Sequence, residues 1–333
     1  MTRRIPQLLA VFLLSVSPWA GGCSDDSANL SLADDTSVLD STDDGATGDA
    51  SAHDVVTRDS DALGPVDTVA AKPFWMPDSG GFTVLFLDVG QGDAIVVISD
   101  DGTTMLVDGG RTENLLAQRL KSMQLTRLDV VVASHADLDH IGGLGAAFDA
   151  FDVGTVYWNG AKKETASFME FLDDATKEGA KLIEPRRGES FKLGPLKVEV
   201  VHPGKLSGNH NDDSIVLQTG CAGSWVLLTG DAENAAEKEM LNEFGVSDID
   251  VLKVGHHGSK SGTSQTFIDA LKPKHAIISA GVTNAYGHPD AGVIARLKKA
   301  GAKVLETDID DADDTVMMTA TCKGPYSFSR PFW

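Results

Sequence analysis

The segment Ser134-His135-Ala136-Asp137-Leu138-Asp139-His140-Ile141-Gly142-Gly143 constrains this chain more than any other, because it packs four potential metal ligands into six positions, 135 to 140. It directly follows residues 128–133, an apolar run of strand character. A loop at the end of a buried strand can turn several imidazoles and carboxylates toward one point, and the Gly pair permits a tight turn into a helix. Carboxylates crowded this closely repel one another unless a cation lies between them, so cation binding explains the cluster better than a polar loop with two incidental His.

Two more strand ends carry similar residues. Asp231 follows the apolar run 225–228 in Leu228-Thr229-Gly230-Asp231, and His256-His257 follows the run 251–254. Alone, Asp231 reads equally well as the N-cap of a helix over 233–244, and adjacent His as polar loop residues. Together with the first cluster they supply the carboxylates and imidazoles that two divalent ions a few ångström apart require.

Short β-rich runs alternate with helical stretches from Phe82 onward. Strands are expected at 82–88, 93–99, 104–107, 128–133, 153–158, 197–201, 215–219, 225–228, 249–254, 276–279, 303–306 and 315–321. Helices are expected at 113–123, from the Gly pair to about 151, and at 164–178, 233–244, 265–271 and 291–300. Hairpin-like neighbours interleaved with helices indicate two mixed sheets face to face with helices outside, an α/β fold in four αββα layers.

The first 78 residues have a different character. Residues 1–23 open with Arg3 and Arg4, continue through an apolar run too short to span a bilayer, and reach Ala20-Gly21-Gly22 before Cys23, as secretory signals do. The small-residue triplet resembles a bacterial lipoprotein signal, in which Cys23 carries lipid and anchors the chain to a membrane; the alternative is an ordinary cleaved signal. Either way the protein is expected to be exported. Residues 24–78 contain 13 Asp, no Glu, one Arg and one Lys, within a chain of net charge -21. Such a stretch buries too little apolar area to offset ordering and is expected to be an extended, disordered linker. The folded domain is then expected at 79–333. If Cys23 is lipidated, Cys221 and Cys322 remain either to pair or to stand as two buried thiols.

The order of motifs carries a resemblance. Phe86-Leu87-Asp88-Val89-Gly90-Gln91-Gly92-Asp93, Leu106-Val107-Asp108-Gly109-Gly110, the 135–143 cluster, Asn211-Asp212-Asp213-Ser214, Thr229-Gly230-Asp231, His256-His257-Gly258-Ser259 and Tyr286-Gly287-His288-Pro289 together resemble the metallo-β-lactamase-fold domain of ComEC-type DNA-internalisation proteins. The resemblance implies one metal site using His135 and Asp137, a second using Asp139, His140 and one of His256 or His257, and Asp231 bridging both. The third ligand of the first site is expected between the 197–201 strand and Ser214, where His210 is preferred to His202. Asp137 stands where the commonest superfamily pattern has His, a harder ligand that favours manganese over zinc.

The chemistry so implied is hydrolytic: a hydroxide held between two divalent ions, Zn or Mn, attacks a phosphodiester at the Asp139 centre, and His288 or His256 protonates the leaving group. Lys260 is a candidate phosphate contact, and Asp88, Gln91, Asp93 and Asp108 are expected to orient ligands. Single-stranded DNA is the first substrate this suggests, with Lys253, Lys260 and Lys274 as a local basic patch. Small phosphoesters, envelope-polymer head groups, or a metal-binding lipoprotein without catalysis are the alternatives. The acidic balance excludes a protein that coats nucleic acid through general charge.

Overall fold

A computed structural model describes residues 72–221, 223–307, 309 and 313–331. The expectations for the signal segment, for Cys23 and for most of the acidic linker lie outside these residues. The described residues belong to one compact unit, Thr68–Trp333.

Eight strands form the first sheet in the order β15-β14-β1-β2-β3-β4-β5-β6, and seven form the second in the order β13-β12-β11-β10-β9-β8-β7. In the first, β1 (Gly81–Phe86) lies between β14 (Val316–Thr321) and β2 (Ile95–Ser99), followed by β3 (Thr104–Val107), β4 (Val130–Ala133), β5 (Thr155–Trp158) and β6 (Lys181–Ile183), with β15 (Ser327–Ser329) at the far edge. In the second, β7 (Ser190–Leu193), β8 (Leu196–His202), β9 (Val216–Cys221) and β10 (Ser224–Leu228) form an antiparallel run, continued in parallel by β11 (Val251–Lys253), β12 (His275–Ile278) and β13 (Lys303–Glu306).

Three apolar layers hold this arrangement together. Phe82, Val84, Phe86, Val97 and Val132 of the first sheet meet Val198, Leu217, Val226 and Ile277 of the second. On the outer face of the first sheet Leu85, Val96, Val131 and Val156 pack under Leu116 and Leu120 of α1 (Glu113–Met123), Phe148 of α3 (Gly145–Ala150) and Phe171 of α4 (Ala166–Lys177). On the outer face of the second, Leu227, Leu252 and Ile278 pack under Met240, Phe267 of α6 (Gln265–Leu271) and Leu297 of α7 (Ala291–Lys299). Alternate residues of each central strand thus serve opposite faces, and because both faces are covered the strands read as continuous apolar runs. The result is the four-layer αββα sandwich.

Several expectations need correction. The helix after the Gly pair is the short α3, a separate turn of helix, α2 (Leu138–Ile141), precedes the pair, and the 233–244 helix is α5 (Asn234–Glu239) continued by a π-helical turn, Met240–Phe244. Strands β6, β7 and β15 were not expected. Each is a short edge strand with little burial, so its apolar pattern is weak. The ordered body begins before residue 79: Trp75 is buried, with its indole N–H donated to Met123 O at 2.6 Å. Cys221 and Cys322 form a disulfide, joining the end of β9 in one sheet to the residue after β14 in the other. Among the described residues no helix is long and apolar enough to cross a membrane.

Candidate metal centre

The centre lies at the ends of strands from both sheets. β4 is followed by Ser134, whose N–H and hydroxyl both donate to the Asp108 carboxylate, at 2.7 Å each. Asp108 itself follows β3 and also accepts from His140 Nδ1 at 2.8 Å. One buried carboxylate therefore fixes the start of the ligand loop and one of its imidazoles.

Two glycines of the motifs make this packing possible. A Cβ on Gly92 would stand 2.0 Å from Asp139 O, and one on Gly143 2.0 Å from Gly109 O. Only glycine permits those approaches, which lock the Gly90-Gln91-Gly92 turn and the Gly pair against the ligand loop.

Three imidazoles turn the same nitrogen inward. His140 donates Nδ1–H to Asp108, and His257 donates Nδ1–H to Ser279 O at 2.8 Å. Ser134 spends its hydroxyl proton on Asp108, so its oxygen accepts from His135 Nδ1 at 3.1 Å. Each ring's Nε2 lone pair is left facing the cluster. His140 Nε2 and His257 Nε2 are 3.2 Å apart, and Asp231 Oδ1 stands 3.2 Å from the first and 3.4 Å from the second. Asp139 Oδ2 lies 3.4 Å from His257 Nε2. On the other side, Asp231 Oδ2 is 3.8 Å from His135 Nε2 and 3.8 Å from His256 Nε2, and Asp137 Oδ1 is 4.0 Å from His135 Nε2.

The electrostatics fit a cation. His135 Nε2 and Asp231 Oδ1 are buried without a hydrogen-bond partner among the described residues. Burial and the neighbouring His140 push His135 down to about 4, so its lone pair is available at neutral pH. Burial also opposes charge on His140 and His257, but Asp231 with Asp108 raises the first, and Asp231 with Asp139 raises the second. Asp231 in turn is held well below the usual carboxylate range, His140 and His257 overcoming the effect of burial. The site's carboxylates thus demand positive charge at Nε2, which a divalent ion satisfies with both rings neutral. His135, His140 and Asp231 form one group of ligand atoms lying within 4.8 Å of one another, and Asp139, His140 and His257 form another.

Other sequence candidates stand differently. Asp137 is paired with Lys163 Nζ at 2.6 Å, a lysine that sequence reasoning did not single out. Among the described residues His210 and His202 join no group of three ligand atoms within 4.8 Å, and His202 is buried with both nitrogens unpartnered. His256 Nε2, facing the same Asp231 oxygen as His135, stands nearer the open side of the cluster. Its Nδ1 meets Glu233 Oε1 at 2.8 Å. Both His256 and His257 have left-handed backbone, φ 47 and φ 53, the strained turn that sends their rings in different directions from adjacent positions.

The supporting residues divide as well. Gln91 Nε2 lies 3.4 Å from Asp139, and Asp93 Oδ1 lies 3.4 Å from His257 Nδ1. Asp88 is not beside the ligands; it pairs with Arg119 at 3.1 Å. Asp231 is not an N-cap: Asp212 Oδ1 accepts from Glu233 N and Ala236 N at the start of α5. Ser214 holds Asp231 by accepting its N–H at 3.1 Å. The basic patch does not form, because Lys253 is fully buried 2.8 Å from Asp93 and Lys274 pairs with Asp250 at 2.6 Å. Lys260 remains exposed. His288 borders the same pocket as Asp137, Asp231 and His256, and burial with His256 and His257 nearby pushes it below its ordinary value.

Residues 87–282 match the metallo-beta-lactamase superfamily, and the chain belongs to that superfamily. Within it the domain is of the ComEC-like type. It is 33% identical over 242 residues to ComE operon protein 3 of Bacillus subtilis (strain 168), covering 67% of this chain and 31% of that protein. It is 29% identical over 253 residues to Competence protein ComA of Neisseria gonorrhoeae, covering 73% and 33% respectively. The chain thus spans about a third of the length of these curated relatives. A similar solved structure is Igni18, a metallo hydrolase from Ignicoccus hospitalis KIN4/I, with 20% identity and TM-score 0.49, covering 71% of this chain and 98% of that one.

Proposed function

We propose that this protein is an exported phosphodiesterase, nuclease-like in substrate, that works with two divalent cations, Zn or Mn. The observation that carries the reading is the convergence of His140 Nε2, His257 Nε2 and Asp231 Oδ1 within 3.2–3.4 Å, with the second Asp231 oxygen facing His135 and His256. Charge favours two ions over one. Asp93, Asp108, Asp137, Asp139 and Asp231 crowd the centre against the two ammonium groups of Lys253 and Lys163, an excess of three negative charges that a single divalent ion leaves unbalanced.

In this reading Asp139, His140, His257 and Asp231 would hold one ion, and His135, Asp137 and Asp231 the other. His256 replaces His210 as the third side chain of the second set. Bound cations would supply an activated water at neutral pH and polarise the phosphoryl group. The chain's own residues do the rest: Asp108, Ser134 and Ser279 keep every Nε2 lone pair aimed inward, and Gln91 holds the Asp139 carboxylate. His288, on the pocket wall, is the group placed to pass a proton to the leaving oxygen.

Export is supported by the Cys221–Cys322 disulfide, which an oxidising compartment maintains, and by the leader-like sequence of residues 1–23; a lipid on Cys23 would then anchor the chain to a membrane. The missing basic patch favours a second reading, hydrolysis of small phosphoesters or envelope-polymer head groups, which needs no long cationic track. The test is cleavage of a labelled single-stranded DNA by the full chain with added manganese or zinc, beside a chelated sample and Asp231→Asn. Cleavage abolished in both controls supports the nuclease reading. Failure to cleave under any metal, in folded and metal-loaded protein, transfers the search to small phosphoesters.

A further inference from the structure

The pocket over the cluster has a volume of only about 80 Å³, well below the roughly 300–1,000 Å³ of pockets that enclose a whole ligand. Whatever flanks the scissile phosphate must therefore rest on the rim. There stands Tyr286, a pocket-lining aromatic that is nevertheless 62% exposed. Its ring lies nearly parallel to that of His288, at 17° with centroids 5.9 Å apart, which backs one side of the tyrosine and leaves much of the ring to solvent.

The loop that carries it is built to hold still. Asn284 Nδ2 donates to Gly281 O and to His288 O at 2.6 Å each, while its Oδ1 accepts from Tyr286 N at 3.2 Å and His288 N at 3.0 Å. Gln91 ties the base of this loop to the centre, with Oε1 accepting from Gly281 N at 3.3 Å and Nε2 facing Asp139. A single exposed aromatic elsewhere on a surface needs no explanation. One fixed at the edge of a small pocket, with a ring stacked behind it, presents a flat apolar face at a set distance from the reacting centre.

Resting on the phosphodiesterase reading, we propose that Tyr286 is a stacking platform for the nucleobase next to the scissile phosphate, so that the substrate is a nucleotide phosphodiester with an unpaired base. A base within a duplex has both faces covered and gives the ring nothing to stack on. Stacking also supplies sequence-tolerant affinity where this acidic chain offers no cationic track.

The experiment measures equilibrium binding of phosphorothioate tetranucleotides to the full, manganese-loaded chain, one bearing 2-aminopurine and one abasic. The expected result is a roughly 5- to 150-fold preference for the base-bearing strand, with quenched 2-aminopurine emission. Tyr286→Leu should reduce that preference to near one and abolish the quenching, while Tyr286→Phe should retain both. A Tyr286→Leu protein that keeps the preference and the quenching overturns the assignment, as does a wild-type protein that cleaves phosphodiesters yet shows no preference. A folded, metal-loaded wild type that cleaves no phosphodiester overturns the hydrolase reading itself, and this inference falls with it.

Discussion

The two ends of the ligand cluster are built differently. At the His140–His257 end both imidazoles and Asp231 are buried and both rings are braced: Asp108 holds His140, Ser279 O holds His257, and the Lys253–Asp93 pair stands behind. At the His135–Asp137 end the distances lengthen to 3.8–4.0 Å, Asp137 is drawn to Lys163, and His256 leans on Glu233. Outer partners that fix tautomer and orientation raise a site's affinity for its ion. The difference teaches that one ion should bind tightly into a preset site, and the other weakly into a site it must first assemble.

The largest way to break this contrast is Lys253→Met. It leaves Asp93 charged and unpaired in the interior, and should cost about 3–5 kcal/mol of stability by urea unfolding. Adding Asp93→Asn to that variant should recover most of the loss; a double variant no more stable than the single would show that packing, rather than charge, is what Lys253 provides.

His202 sharpens the comparison from outside the cluster. Like His140 it is buried, but burial dominates and it is pushed down to about 4 rather than up. Between its unfolded value near 6.5 and about 4 the unfolded chain therefore binds the extra proton. Stability due to His202 is full above pH 6.5 and falls by up to roughly 3 kcal/mol as pH drops to about 4. His202→Phe should flatten this part of the acid unfolding curve, and an unchanged curve would discard the assignment.

Smaller effects separate the two ends directly. Asp108→Asn should weaken the tight ion by about 10- to 100-fold and, because Ser134 passes the Asp108 contact on to His135, the weak ion by a smaller factor, as read by competition with a chelating dye. Lys163→Met removes a part-exposed ammonium that competes for Asp137, and should strengthen only the weak ion, by a few-fold at most. Equal effects of either substitution on both ions would erase the distinction.

Much of the centre was legible because metal ligands occur in dense local runs at strand ends. The 135–140 loop, Asp231 and the adjacent His256 and His257 carry their chemistry in sequence, and long apolar runs such as 128–133 imply covered strands. What was hidden depends on contacts between distant segments. Lys253 looks like surface charge until β11 buries it against Asp93, 160 positions away. Lys163 has no motif of its own, and its role exists only because the chain after β5 passes Asp137. The choice of His256 over His210 turns on His256 reaching Asp231, a matter of two left-handed residues that no spacing rule reveals. Edge strands β6, β7 and β15 are too short and too exposed to leave a hydrophobic period. Trp75 looked like the end of a polar linker because its partner, Met123 O, is a backbone group.

The most direct test of a two-cation centre with unequal ends is a calorimetric manganese titration of the metal-stripped full chain. The account predicts two ions per chain, bound with affinities that differ by at least tenfold. A single ion at saturation, or no saturable binding in folded protein, would contradict it.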